Sequence, residues 1–313
     1  MAGPAEVTIN DPNLVTTPDL GSNFYLKQAH VGKTSRAEAS LNELKSLNNY
    51  VKVQVDNANV TTEFVDKYDV VVITDCYDKN LLVSLNNFCR NKTKAIGFIW
   101  TGALGLFTHT FVDYGNAHPI FDKDGEECRQ AIIASITNDE VGLVTCHDEK
   151  RHGYVDGDWV TFREVKGMTQ INGQKFQIKV VSPFTFTIGD TREFGTYISE
   201  GFAEQVKIPF QMEFKSLEAA LQDPLAPGKR ELEDPDMDFM RMTKPYELHL
   251  MLNSMLSYYA NKGALPKLGS EEDAKEYTDL CQNLFEESKK NKMDQEGVPK
   301  IEKLDEALLK STS

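Results

Sequence analysis

Cysteine is scarce: Cys76, Cys89, Cys128, Cys146 and Cys281 are the only five in 313 residues. Their number is odd, their spacing is wide, and no CxxC pair occurs. That argues against a disulfide framework or a cysteine-based zinc site and predicts reduced thiols inside a cell. No apolar run reaches the roughly 18 residues that a membrane helix needs. The opening residues Met1-Ala2-Gly3-Pro4-Ala5-Glu6 lack a basic stretch followed by an apolar one, so no secretory signal is expected. Basic charge is also short, with 34 Lys and Arg against 48 Asp and Glu, net −14. No segment is basic: the net charge is −1 over 1–112, −6 over 113–210 and −7 over 211–313. Binding a phosphate backbone needs a basic face, so a general nucleic-acid binder is disfavoured. GxGxxG is absent, as are the Walker phosphate loop and GxSxG.

What is present is an ordinary globular balance, 40% hydrophobic and 26% charged, arranged in three segments. Residues 1–115 alternate strand and helix. Glu6 to Asn10 reads as a short strand, and Ala37, Leu41, Leu44 and Leu47 are spaced for a helix. Tyr50 to Val55 alternates like a strand. Asp69 to Thr74, DVVVIT, is a continuous apolar run typical of a buried parallel strand. A helix through Leu81, Leu82, Leu85, Phe88 and Cys89 follows, then strands at Ala95–Ile99 and Thr110–Asp113. Such alternation implies a parallel sheet covered by helices. Nucleotide-binding sheets of this type have the order 3-2-1-4, and the chain starts just before what reads as the second strand. The expected result is a sheet with two central edges unpaired, as in a fragment of a larger protein.

Residues 116–210 are strand-rich. Val155-Asp156-Gly157-Asp158-Trp159 has an Asp-Gly hairpin signal, and Asn172-Gly173 is a second turn signal. Val160, Phe162 and Glu164 share one strand face, and Phe176, Ile178 and Val180 alternate with polar residues. Short strands with tight turns suggest a small barrel or sandwich. Residues 211–313 are helical, from a short helix at Lys215–Gln222 through an acidic loop at Gln222–Phe239. A stripe of Leu248, Met251, Leu252, Met255, Leu256 and Tyr259 marks the next helix. Ser270 with Asp273 caps another, and a last amphipathic helix begins near Ile301, Leu304, Ala307 and Leu308. An antiparallel bundle, cut short at its last helix, is expected.

Few residues carry a chemical signal on their own. His147 and His152 are five apart, which does not place two imidazoles on one helical face. A cysteine nucleophile needs a nearby cation or helix start. Cys76 could lie near a helix start, His147 beside Cys146 would face the opposite side of a strand, and Cys89 and Cys281 lie on apolar helix faces. A structural thiol is favoured at every position. Asp11 ends the first strand, where an acid commonly bonds a ribose. Asp78 follows DVVVIT, where a carboxylate could hold a metal–phosphate, and it suits helix capping equally well. Spacing alone favours the capping reading.

A longer pattern is more specific. The run Asp11 to Leu26, DPNLVTTPDLGSNFYL, closely resembles the inactive adenylation half of ubiquitin-activating enzymes, as do Gly105-Leu106-Phe107 and Phe111 to Gly115. Val144-Thr145, Arg151-His152-Gly153, Asp156-Gly157-Asp158, Phe162 to Val165, Gly189-Asp190 and Gln205 to Pro209 are similar to the first catalytic cysteine half-domain. Phe214 to Leu217, Lys244-Pro245, Leu248-His249 and Glu272 to Ala274 resemble the adjoining four-helix bundle.

The resemblance implies a partial Rossmann-like (ThiF-type) sheet over 1–115, a small β-barrel-like half-domain over 116–210 and a four-helix bundle over 211–313. It implies an enzyme that adenylates the ubiquitin C-terminus with ATP and magnesium, then passes ubiquitin from a cysteine thioester to conjugating enzymes. The family's active half is not in this chain, so neither cofactor nor catalytic residue is expected here. Cys128 and Cys146 inherit no role. An arginine and a glutamine that contact ATP in the active half fall on Ser22 and Asn23. The ribose acid matches Asp11, the metal acid approximately matches Asp78, and a basic residue matches Arg36. Asp11, Asn23, Arg36 and Asp78 are therefore the candidate remnants of a nucleotide site. The expected role is to supply scaffold and ubiquitin-orienting domains, in cytoplasm and nucleus, with no nucleic-acid or membrane partner. The alternative is a non-catalytic module that docks ubiquitin or a partner adenylation subunit.

Overall fold

The computed structural model describes residues 3–104, 107–147, 151–224 and 245–296. Gly105-Leu106, Asp148 and Glu149, the loop from 225 to 239 and the helix expected from Ile301 to Leu308 lie outside the described residues. The chain divides into two compact units, residues 1–115 with 215–313, and residues 116–214.

In the first unit, β1 (Glu6–Ile9) is followed by α1 (Asp19–Ser22), α2 (Arg36–Leu47) and β2 (Lys52–Val55). Ser35 starts α2 with a capping box, its hydroxyl accepting from the Glu38 amide while the Glu38 side chain faces back. Then come α3 (Thr62–Val65), β3 (Val70–Thr74), α4 (Lys79–Arg90), β4 (Gly97–Leu104) and β5 (Phe107–Asp113). The strands form two separate sheets, β1-β2 and β3-β4-β5. β1 runs parallel to β2, and β3 parallel to β4. In the order 3-2-1-4, these are the strands on either side of the first position. β5 is antiparallel to β4, unlike the all-parallel expectation. Two residues separate these strands, far too few for a crossover, so they must form a hairpin.

β3 also differs from its expectation. Val71 and Ile73 pack on the core, but Val70 and Val72 are 41% and 57% exposed. The strand is covered on one face only, where the apolar run suggested two.

The helices after residue 215 share the core of this unit. They are α5 (Leu217–Gln222), α6 (Pro245–Lys262) and α7 (Glu271–Glu296). Phe98, Trp100, Leu82 and Leu85 lie in one apolar cluster with Leu217, Met255, Leu256, Tyr277 and Cys281. Ser270 caps α7, its hydroxyl accepting from the Asp273 amide at 3.3 Å. Among the described residues, no helix is long and apolar enough to cross a membrane.

The second unit is built from β6 (His118–Ile120), β7 (Gln130–Ile136), β8 (Leu143–Cys146), β9 (Trp159–Arg163), β10 (Lys175–Gln177), β11 (Lys179–Ser182), β12 (Thr185–Thr187), β13 (Phe202–Val206) and β14 (Phe210–Met212). β14 pairs with β6 in a ribbon. The other seven form one antiparallel sheet in the order β10-β9-β13-β7-β8-β12-β11. Its two edge strands are separated by a single residue, Ile178. β10 and β11 stand at opposite ends of the ladder and are not paired with each other. Val160, Phe162, Ile178 and Phe186 lie in one buried apolar cluster.

Asp156-Gly157 does not close a hairpin, because β8 and β9 do not pair. Gly157, at φ 85°, turns the chain so that its amide reaches the Ile178 carbonyl. Glu164 leaves the inward face, with φ 63° and an exposed side chain. Asn172 holds the β9–β10 connection by bonding both the amide and the carbonyl of Val165 at 3.0 Å.

Candidate functional site

Two of the four candidate residues, Asp11 and Arg36, meet where β1 leads toward α2. Asp11 lies just after β1, and Arg36 opens α2. The Arg36 guanidinium grips Asp11 through two bonds, Nε to Oδ2 at 2.8 Å and Nη2 to Oδ1 at 3.2 Å. Its Nη1 donates to Asp19 Oδ1 at 3.1 Å. Asp19 also accepts from the amide and hydroxyl of Thr16, each at 2.7 Å. These Thr16 bonds, with help from Arg36, hold the Asp19 carboxyl below its ordinary pKa. The Asp11 bond raises that of Arg36 despite partial burial. Asn23 is tied locally, its carbonyl accepting from the Tyr25 amide at 3.0 Å and its amide donating to Ser40 at 3.4 Å.

Asp78 is the N-cap of α4, its Oδ1 accepting from the amides of Asn80 and Leu81 at 3.0 and 3.1 Å. The capping reading therefore accounts for the bonds it makes.

An adenine nucleotide with its metal does not suit this arrangement. Asp11, the would-be ribose acceptor, is neutralised by Arg36, and that guanidinium is spent on two carboxylates rather than offered to phosphate. Among the described residues, no group of three or more His, Cys, Asp or Glu could hold a metal ion.

Four of the five thiols are likewise poorly placed for nucleophilic work. Burial pushes Cys89 and Cys146 up to about 11, and raises Cys76 and Cys281 as well. Cys128 is exposed.

Pattern reading missed a second polar cluster, buried more deeply. Asp113, at the end of β5, is 1% exposed. It accepts from Asn86 Nδ2 at 2.9 Å, Arg90 Nη1 at 2.8 Å and the Gly115 amide at 2.7 Å. Asn86 Oδ1 in turn accepts from the Leu217 amide at 2.8 Å, 131 residues away in sequence. The cluster ties α4, β5 and the first turn of α5 together, a structural task. The one available signal was Asn86 falling on the same face of α4 as Leu82, Leu85 and Cys89.

Comparison with known proteins places these features in a family. The model of the ubiquitin-activating enzyme E1 FCCH domain, the first catalytic cysteine half-domain, matches residues 139–207. That of the ubiquitin-activating enzyme E1 four-helix bundle matches residues 208–285. Ubiquitin-like modifier-activating enzyme 1 of Homo sapiens is 35% identical over 306 residues, covering 96% of this chain and 28% of that protein. Ubiquitin-activating enzyme E1 2 of Arabidopsis thaliana is 37% identical over 289 residues, 91% of this chain and 26% of its own. Ubiquitin-like modifier-activating enzyme 6 of Homo sapiens is 36% identical over 291 residues, 91% of this chain and 27% of its own. The chain thus spans little more than a quarter of the length of these relatives. It belongs to the ubiquitin-activating enzyme family, in the region that carries the first catalytic cysteine half-domain and the four-helix bundle.

Proposed function

We propose that this chain supplies scaffold and ubiquitin-orienting domains for the activation of ubiquitin or a ubiquitin-like protein and its delivery to conjugating enzymes. It performs neither the adenylation nor the thioester step with its own residues. The observation that carries this reading is the closed ion-pair cluster of Arg36 with Asp11 and Asp19. A site that stabilises developing charge on a phosphoryl group keeps its cation available, and here that cation is committed to the protein. The raised thiols of Cys76, Cys89, Cys146 and Cys281 support the second half of the reading. The ATP and magnesium of the family would be held by other residues than these.

The test is ATP–pyrophosphate exchange by the purified chain with ubiquitin, alongside a gel assay for a thiol-sensitive ubiquitin adduct. Neither signal should rise above a no-protein blank. Exchange that depends on ubiquitin would overturn the proposal.

A further inference from the structure

The ribbon that joins the two ends of the second unit carries the furthest inference. The chain enters this unit at Asn116 and leaves it at Phe214. β6 and β14 lie beside those ends and pair over three residues, His118 with Met212, Pro119 with Gln211 and Ile120 with Phe210. Pro119 has no N–H to give to that ladder. A two-stranded ribbon is marginal in water on its own, so its closure depends on what holds its ends. At one end the His118 and Phe214 rings meet edge to face, with centroids 6.2 Å apart. At the other stands Lys207, the residue after β13.

The Lys207 ammonium has three protons, and each finds an oxygen of one short loop. Nζ donates to Asp122 Oδ1 at 2.6 Å, to Asp124 Oδ1 at 2.8 Å and to the Glu126 carbonyl. The loop is shaped around that charge. Asp122 Oδ1 also accepts from the amides of Asp124 and Gly125 at 3.2 and 3.0 Å, and Asp124 Oδ1 from the Glu126 amide at 3.2 Å. Gly125 makes the turn with φ 70°. Calcium loops hold their ion in a similar way, with oxygens of alternate residues and a glycine at the turn. Here the positive charge is a side chain 85 residues along from Asp122. Its bond to Asp122 pushes Lys207 up to about 12 and, with the Gly125 amide, holds the Asp122 carboxyl well below the usual carboxylate range. Both groups therefore stay charged around neutral pH.

We propose that Lys207 is a built-in cation that keeps the ribbon closed, so that the entering and leaving connections of the second unit are strapped together without a metal ion. With the charge removed, the loop opens and β6 parts from β14, while the seven-stranded sheet stays folded. The loop and the sheet are separable because the clamp sits outside the buried apolar cluster of the unit, in which none of Asp122, Asp124 and Lys207 takes part. The proposal is independent of the proposed function.

The test compares the full chain with Lys207→Met, which keeps the apolar stem and loses the charge. Amide hydrogen exchange is followed residue by residue. The amides protected by the ribbon, within 118–120 and 210–212, should exchange about tenfold faster in the variant, together with those of Gly125 and Glu126. The Ile133 and Cys146 amides, bonded within the sheet side of the unit, should keep their rates, and the urea midpoint read through Trp159 should not move. If Lys207→Met does not fold, Asp124→Asn removes one of the two charged acceptors and should speed the same ribbon amides by about threefold.

The proposal is overturned if a folded variant leaves the ribbon amides unchanged. It is equally overturned if Ile133 and Cys146 speed up by the same factor, because Lys207 then holds the whole unit and not the ribbon. Slower exchange of the parent loop on adding millimolar calcium would also overturn it, because the seat would then take a metal ion.

Discussion

Replacing Asp113 with alanine tests how much of the first unit depends on its buried polar cluster. The carboxylate is 1% exposed and the Arg90 side chain 13%. Removing the acid strips Arg90 Nη1, Asn86 Nδ2 and the Gly115 amide of an acceptor at once. Breaking one side of a buried ion pair costs about 3–5 kcal/mol. At 1.4 kcal/mol per tenfold, that is roughly a hundred- to a few-thousand-fold in the folding equilibrium.

Asn86→Ala removes two bonds and leaves the Leu217 amide without this acceptor, for about 2–4 kcal/mol. The two changes share partners, so the double variant should fall short of additivity by at least about 1 kcal/mol. Urea unfolding read by tryptophan fluorescence measures this cleanly. Of the two tryptophans, Trp100 is buried in the first unit and Trp159 lies in the second. A Trp159→Phe background therefore isolates the first. An Asp113→Ala loss under about 1 kcal/mol, or strict additivity with Asn86→Ala, would refute the reasoning.

Three further outcomes are expected. Ellman's reagent on the native chain near pH 8 should find one fast thiol, lost in Cys128→Ser, because burial raises Cys76, Cys89, Cys146 and Cys281. Burial lowers the His109 imidazole below its ordinary 6.5. The folded state thus prefers the neutral ring, and the stability this contributes is full above pH 6.5 and lost as pH falls below it. Comparing urea midpoints at pH 7.5 and 5.5, His109→Phe should show a smaller acid loss than the parent chain. Gly167, at φ 86°, has no room for a Cβ beside the Thr196 carbonyl and the Ile198 amide. Gly167→Ala should therefore cost the second unit about 2 kcal/mol or more, read through Trp159.

Local pattern was enough to find most elements, because apolar spacing and caps act within a few residues. The stripe through Met251, Met255 and Leu256 became the buried side of α6, and Ser270 became the cap of α7. Partner choice was less legible. Asp156-Gly157 signals a turn correctly, but the strands on either side belong to different parts of the ladder. A dipeptide determines how the chain bends and not which distant strand it meets.

The candidate site divides the same way. Asp11, Asn23 and Arg36 could be picked out from a long run of residues similar to a family. That Arg36 would bond two carboxylates depended on the Asp19 carboxylate being brought beside it, across 17 residues. Asp78 could be read as ligand or cap until the position of two amides decided it.

The sequence by itself determined the parallel character of β1 through β4, the acidic surface, the helical third segment and the family. Each is written in composition, periodicity or a contiguous run. Only the tertiary structure decided that the helices after 215 share a core with the first segment, and that Asn86 reaches Leu217. It alone showed that β3 leaves Val70 and Val72 exposed. These depend on contacts between residues far apart in the chain, which no local pattern encodes.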